Sequence, residues 1–323
     1  MNLIACIILI LMVYINGWTD APDTIAPSIV SDAMSYRSAV ITVAVGNALG
    51  AVCGGIIFPA ISSNTTLFLS SETCTSSLIA VMLTVIFWAI IAWYFGIPTS
   101  ESHALLAALT GSRFASDQNR RSFSEIKRIF LQSGWGKLLL VIFVSVLLGY
   151  ICGYLFCRFL HLHAGKHISK RILHLQRAGA FLSSLLHGAL DAQKFAVVFF
   201  ALCNGTVGIP SLRMISLCGG IMALGCLTCG HRIINHLTRE VTQPDACAAA
   251  SADFAAALCL LPAMFLGYPL GTTQVKTSAL GGSCDASPGN RVQRSGFFQI
   301  IFIWVITLPC CAAISFCLTQ LFL

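Results

Sequence analysis

Long apolar runs alternate with short polar segments along almost the whole chain. Six runs have the length and apolarity typical of membrane spans, at residues 38–58, 77–95, 138–157, 215–229, 246–266 and 297–318. A transmembrane helix needs about 20 such residues, whereas a barrel strand needs about ten that alternate in polarity. Because the runs are long and do not alternate, they predict an all-α integral membrane protein with roughly eight to twelve membrane-entering elements.

The composition supports the same class. The chain is 57% hydrophobic and 10% charged, with a mean hydropathy of +0.84, whereas soluble domains carry about 25% charged residues. No basic region precedes the first apolar run and no small-residue cleavage site follows it, so we expect a retained first helix rather than a signal peptide. These features predict a multi-pass protein of the cell membrane.

The net charge of +7 raises the question of a nucleic-acid partner. The basic residues concentrate at 113–137 and 158–177, which are short segments flanking apolar runs. An excess of lysine and arginine beside spans usually marks the cytoplasmic side and contacts lipid headgroups. The predicted partner of these charges is therefore the lipid bilayer and not nucleic acid. Most of the 15 cysteines lie inside apolar runs, where cysteine behaves as a small hydrophobe, so no metal or redox cofactor is predicted.

Two pairs of motifs share one spacing. Asn16-Gly-x-x-Asp20 recurs as His187-Gly-x-x-Asp191, and "GIPTSESHALLAALTGS" from Gly96 is matched by "GYPLGTTQVKTSALGGS" from Gly267, so that both pairs are offset by 171 in residue number. The chain is therefore predicted to contain two homologous transmembrane repeats, 1–157 and 178–323, joined by a basic linker at 158–177. If each repeat crosses the membrane an odd number of times, the repeats are inverted, as is common in secondary transporters with a midplane site.

The first motif pair places carboxylates beside apolar segments. An ionised aspartate at a span centre costs about 2.5–3.5 kcal/mol, so these groups are expected to face a cavity or each other. Asn16-Gly17, Pro22 and Pro27 predict a helix break, whose freed carbonyls and neighbouring side-chain oxygens suit a cation such as sodium. His187 is either a packed histidine or a proton carrier. The residues predicted to couple cations or protons are Asn16, Thr19, Asp20, Asp23, His187 and Asp191, with any sodium ion at Asp20 and Asp191.

The second motif pair combines a Gly-x-Pro turn with hydroxyl-bearing residues and a short apolar stretch. This pattern predicts one re-entrant hairpin per repeat, whose tip presents hydroxyls and helix N-terminal N–H groups at membrane depth. Two facing tips would form a cage rich in hydrogen-bond donors for an oxyanion. The predicted anion-binding residues are Ser100, Glu101, Ser102, Gln193, Lys194, Thr272 and Thr273. Two alternatives stay open: the hydroxyls bond their own helix, and Lys194 forms a local ion pair with Asp191.

In these motifs the chain resembles the inorganic phosphate transporter (PiT) family. That family has a duplicated G-x-N-D motif and a duplicated G-[IL]-P-x-S-T-T-H motif, and "HGALDAQK" resembles its second-half form. The resemblance implies two inverted repeats with broken helices and re-entrant hairpins, and transport of a tetrahedral oxyanion with sodium or protons. The chain departs from the pattern at Thr19 and Leu190, which replace asparagines, and at Glu101, which replaces a threonine. We therefore interpret it as a divergent member.

The predicted function is secondary active transport of inorganic phosphate, coupled to sodium or protons, with the anion between the two hairpin tips. Sulfate is the open alternative, since it is also tetrahedral. A non-transporting membrane enzyme or receptor is a second alternative. Its only local nucleophile and base are Ser100 or Ser102 with His103, and no motif orients that histidine, so the protein is predicted not to be an enzyme. No cofactor beyond a coupling sodium ion is expected, and a homodimer stays open.

Overall fold

The computed structural model describes residues 3–57, 74–116, 134–164, 170–203, 212–229, 231–237, 242–266, 270–288, 290 and 292–323. In these residues the backbone forms helices and one isolated bridge, between Thr242 and Val292, so the all-α prediction is confirmed. The helices are α1 (Leu3–Val30), α2 (Tyr36–Ile57), α3 (Thr75–Phe95), α4 (Glu101–Ser116), α5 (Trp135–Ala164), α6 (Lys170–Leu202), α7 (Leu212–Leu227), α8 (His231–His236), α9 (Ala246–Leu266), α10 (Thr272–Ala286) and α11 (Arg294–Phe322).

Seven of the described helices are long and apolar enough to cross a membrane: α1, α2, α3, α5, α6, α9 and α11. Their outer faces expose large apolar side chains, among them Leu140 and Phe143 on α5 and Phe298 and Phe302 on α11. A face of this kind is stable against lipid and not against water. With the family identified below, these helices confirm a multi-pass membrane protein.

The offset of the two motif pairs recurs in the helices themselves. Both ends of α3 and α9 differ by that same offset in residue number, and so do the first residues of α4 and α10. The packing is reciprocal as well: α4 packs against α11, the last helix of the other half, while α10 packs against α5. Each repeat therefore completes its core with a helix from the other, and the two interlock. The predicted linker at 158–177 contains the end of α5 and the start of α6, with 165–169 outside the described residues.

The predicted helix break at the first motif pair is wrong. α1 continues through Asn16-Gly17 and contains Pro22 and Pro27, and α6 continues through His187. The two prolines lack an N–H and therefore leave the backbone carbonyls of the residues four positions earlier without their usual helical donor. Membrane helices tolerate proline when neighbouring helices and polar side chains satisfy the freed groups. Here α1 is continuous and packs against α3, α6 and α7, so local sequence signals alone predict a break that the packed helix does not have.

The motif glycines serve close helix packing instead. A Cβ built at Gly17 would overlap the backbone carbonyl of Met222 on α7, and one built at Gly188 would overlap the carbonyl of Asn47 on α2. The two contacts are equivalent in the two repeats. Small residues at such crossings let membrane helices approach closely. Glycine is therefore required at these positions by contact with another helix rather than by a bend in its own.

The chain breaks its helices at the second motif pair. α3 ends at Phe95, and the capping residue Gly96 has φ of 72° and donates its N–H to the carbonyls of Ala92 and Trp93. Residues 97–100 are not helical, and α4 begins at Glu101; in the other half, residues 270 and 271 precede α10. The helices after the tips have 16 and 15 residues, or about 24 and 22 Å, which is less than the hydrocarbon core of about 30 Å. Because α3 packs against α4 and α9 against α10, each repeat contains one helical hairpin, as predicted.

Candidate functional site

The two hairpin tips meet inside the bundle. A Cβ built at Gly271 would overlap the Ser100 hydroxyl oxygen and lie 3.1 Å from the side-chain carbonyl of Gln274, so the two tips are in contact at this position. Five hydroxyl-bearing residues of the tips are buried: Thr99, Ser100, Ser102, Thr272 and Thr273. The first turn of a helix leaves backbone N–H groups without helical acceptors. The N-termini of α4 and α10 therefore converge with hydroxyls in a buried, donor-rich region.

Both tips are tied to α1. The Glu101 carboxylate accepts hydrogen bonds from Asn16 Nδ2 and from Thr19 Oγ1, each at 2.8 Å. In the other hairpin, Lys276 Nζ donates to the backbone carbonyl of Thr24 on α1 at 2.7 Å, and Thr273 lies close to the carboxylate of Asp23. The first motif thus lies against both hairpins. Thr19, which stands where the resemblance leads one to expect asparagine, keeps a polar contact through its hydroxyl.

Asp20 and Asp191, one from each repeat, both lie close to the side chain of His187. His187 Nε2 lies 3.0 Å from Asp191 Oδ2 and 3.6 Å from Asp20 Oδ2, and Lys194 Nζ lies 2.9 Å from Asp191 Oδ1. The two aspartates and the histidine place a ligand atom each within 4.8 Å of one another. All four side chains are at most 8% exposed, and charges so deeply buried persist only when paired. The local Lys194–Asp191 pair expected as one alternative is present.

Several buried polar atoms have no hydrogen-bond partner among the described residues. They include the acceptors Asn16 Oδ1 and Asp23 Oδ2 and the donor Gln193 Nε2. Buried polar groups in proteins are almost always paired with protein atoms, ordered water or ions, so these atoms are available to water, an ion or a ligand. The acceptors belong to the motif predicted for cations, whereas Gln193 was predicted to contact the anion. Unpaired acceptors are therefore present for the predicted cation, and an unpaired donor is present for the predicted anion.

The structure brings most of the predicted site residues into one network. Direct contacts join Asn16, Thr19, Asp20, Ser100, Glu101, His187, Asp191 and Lys194 to one another or to the facing tip, and Asp23 and Thr273 lie buried beside them. Ser102 and Thr272 lie buried on the first turns of α4 and α10, and Gln193 lies buried between Asp191 and Lys194 on α6. The roles assigned to these residues stay predictions.

One buried ion pair beside this network was not among the site residues predicted from the sequence. Lys276 Nζ lies 2.6 Å from Asp253 Oδ1, with both side chains at most 5% exposed. Neither residue belongs to the predicted site, and no motif surrounds Asp253. A signal was available, since these two residues are the only charged ones between residues 246 and 284 and have opposite sign.

Comparison with known proteins identifies the family. The model of the phosphate transporter family matches this chain twice, at residues 16–175 and 161–315. This protein belongs to the phosphate transporter family. The probable low-affinity inorganic phosphate transporter of Mycobacterium tuberculosis (strain ATCC 25618 / H37Rv) is 32% identical over 96% of this chain and 76% of its own length. That of Bacillus subtilis (strain 168) is 27% identical over 94% of this chain and 91% of its own length.

A solved structure shares the fold. The structure described as "The sodium-dependent phosphate transporter" superposes with a TM-score of 0.79 at 19% sequence identity, covering 98% of both chains. The resemblance to a phosphate transporter family is therefore confirmed, and the two family matches agree with the internal repeat. Because the family and its relatives are transporters, the protein is not an enzyme. The same comparisons give the sulfate alternative no support.

Proposed function

We propose that this protein is a secondary active transporter that moves inorganic phosphate together with sodium through a site between its two hairpin tips. The observation that carries the proposal is the contact between Ser100 of one tip and Gly271 of the other, beside the paired aspartates of both repeats. The names of the relatives support phosphate, and that of the structural neighbour supports sodium. Inverted repeats with a central site are a common architecture for such coupling.

The anion binds, in this proposal, to donors of both tips and of α6. Phosphate is an oxyanion, and helix N-termini bind oxyanions through free N–H groups and the helix dipole. Hydroxyls of Ser100, Ser102, Thr272 and Thr273 would add donors, and Gln193 Nε2 is a buried donor without a partner among the described residues. Lys194 supplies a positive charge. Glu101 turns its carboxylate to Asn16 and Thr19, so it anchors its tip to α1 instead of facing the anion.

The cation binds on the α1 side of the aspartate pair. Asp191 already has two basic neighbours, Lys194 and His187, whereas Asp23 Oδ2 and Asn16 Oδ1 have no hydrogen-bond partner among the described residues. Pro27 also leaves the Asp23 carbonyl without its helical donor. Carboxylate, amide and carbonyl oxygens are the ligands that hard cations prefer. Sodium bound here would offset the charge of phosphate bound at the tips.

Uptake into proteoliposomes tests the proposal. Purified protein is reconstituted, and entry of ³²P-labelled phosphate is followed with an inward sodium gradient, an inward proton gradient, both or neither. We expect the sodium gradient alone to drive accumulation that unlabelled phosphate competes away and sulfate does not. If only the proton gradient drives uptake, the assignment of sodium is wrong. If no gradient drives uptake of phosphate, the transport proposal itself is contradicted.

Replacing Lys194 by methionine tests the anion site. The change keeps most of the side-chain volume but removes the positive charge, and a hydrogen bond to a charged group contributes about 1.5–3 kcal/mol. We therefore expect the Kd for phosphate, measured by binding of labelled phosphate in detergent, to rise about 10- to 100-fold. Lys170→Met is the matched control, since Lys170 is exposed at the start of the same helix. Equal phosphate affinity in the two variants would remove Lys194 from the site.

A further inference from the structure

The buried pair of Lys276 and Asp253 lies beside the proposed site, on the hairpin of the second repeat. Lys276 is on α10, one turn after Thr273, and Asp253 is on α9. Lys276 also reaches α1, where it donates to the backbone carbonyl of Thr24, the residue after Asp23. The proposed roles of the central residues make no use of this pair.

Oxygen atoms from three other helices surround the Lys276 ammonium. Its Nζ lies 2.7 Å from the backbone carbonyl of Thr24 on α1, 3.1 Å from Ser183 Oγ on α6 and 2.6 Å from Asp253 Oδ1 on α9. The ammonium donates hydrogen bonds to the carbonyl and to the hydroxyl, and the carboxylate pairs with its charge. A carbonyl, a hydroxyl and a carboxylate are also the oxygens that coordinate a small cation. Lys276 thus places its charge inside a cage that would suit a free cation.

Asp253 is held in place from its other side. Gln176 Nε2 donates to Asp253 Oδ2 at 3.2 Å and to Ser28 Oγ on α1 at 2.8 Å. The network therefore connects the second hairpin to both motif helices, α1 and α6. Removing Lys276 would leave a fixed, buried carboxylate without its cation.

In the first repeat, the positions equivalent to this ion pair and its serine neighbour hold apolar residues. At the offset that relates the two repeats, the counterparts of Asp253, Lys276 and Ser183 are Met82, Leu105 and Met12. All three are fully buried members of one hydrophobic cluster. Replacing a buried ion pair by packed apolar residues is often neutral or stabilising. Because the first repeat shows that this fold packs well without charges here, stability alone does not account for the pair.

We propose that the Lys276 ammonium is a tethered cation that occupies a monovalent cation site in place of a free sodium ion. The inference rests on the proposed sodium-coupled transport and adds a second cation position to it. Lys276 supplies a permanent positive charge near the path of phosphate without taking an ion from solution. It also holds the second hairpin against α1.

Sodium binding to a lysine-free variant tests the inference. In Lys276→Ala, we expect ²²Na⁺ binding in detergent to show about one additional sodium ion per chain relative to the wild type, held by Asp253 and its oxygen neighbours. The gain should be lost when Asp253→Asn is added. Leu105→Ala is the matched control, because it truncates the equivalent residue of the first repeat, which lies among apolar side chains, and it should gain no sodium. A folded Lys276→Ala variant that binds phosphate but gains no sodium overturns the inference.

A second variant covers the case in which Lys276→Ala does not fold. The double change Asp253→Met with Lys276→Leu installs the residues of the first repeat, so it is expected to fold. Loss of the tethered charge should then lower sodium-driven phosphate uptake at least tenfold, whereas a purely structural pair predicts wild-type uptake. Uptake by the wild-type protein is measured in parallel. Its absence would contradict transport itself, while the sodium gain of Lys276→Ala is measured by binding and does not depend on transport.

Discussion

Replacing Asp191 by asparagine is expected to reduce phosphate uptake about 100-fold or more. Asp191 pairs with His187 and Lys194 in a position that is 1% exposed. Asparagine keeps the shape but removes the charge, and it leaves the Lys194 ammonium buried without its nearest carboxylate. Breaking a buried pair by removing one partner costs about 3–5 kcal/mol, which corresponds to a factor of more than 100 in an equilibrium constant. The arrangement that joins the aspartates of the two repeats through His187 should not survive that loss.

The measurement compares initial rates of labelled phosphate uptake at equal amounts of reconstituted protein. Asp32→Asn is the matched control, since Asp32 is exposed and has φ of 55°, a left-handed conformation that asparagine adopts readily. It should transport at the wild-type rate. Size-exclusion elution in detergent checks that both variants are folded. An Asp191→Asn protein that is folded and transports at more than half the wild-type rate would contradict the assigned role.

The second large effect concerns stability, at Gly188. The Cβ of Gly188→Ala would overlap the Asn47 carbonyl of α2, so α2 and α6 would have to separate along their contact. Overpacking a tight site costs about 1–3 kcal/mol, and here it also displaces His187 and Asp191 on the same helix. We expect a clear fall in the melting temperature in detergent and a marked loss of phosphate uptake.

Gly220→Ala provides the comparison for that prediction. A Cβ at Gly220 of α7 meets nothing within 4 Å, and alanine is about 1 kcal/mol more favourable than glycine in a helix. Gly220→Ala should therefore melt at the wild-type temperature or higher. If the two alanine variants melt at the same temperature, the close approach of α2 and α6 is not what keeps glycine at position 188.

The architecture could be predicted from the sequence because the same motifs occur in both halves of the chain at one spacing. One offset in residue number relates both motif pairs and again the ends of α3 and α9. The hairpins followed from Gly96 and the residues after it, since a left-handed glycine ends a helix by a local rule. The residues predicted for the site also lie together, because a carboxylate in an apolar chain needs a partner nearby. The repeat boundaries at 157 and 178 stay predictions.

Other features depend on contacts that local patterns do not contain. Asn16-Gly17 and Pro22 favour a break, yet α1 is continuous and packs against α3, α6 and α7. Gly188 is explained by Asn47, a residue from the other repeat. The cage around Lys276 draws on helices that lie far apart in the chain, so only the folded structure reveals it.

The position of bound phosphate tests the central claim most directly. It is measured by determining the structure experimentally in the presence of phosphate and sodium. We expect the anion between the hairpin tips, within hydrogen-bond distance of the Ser100 hydroxyl and of the N–H groups at the start of α10, with Lys194 as its nearest cation. Phosphate bound elsewhere in a protein that transports it, with the space between the tips closed by side chains, would contradict the proposed site.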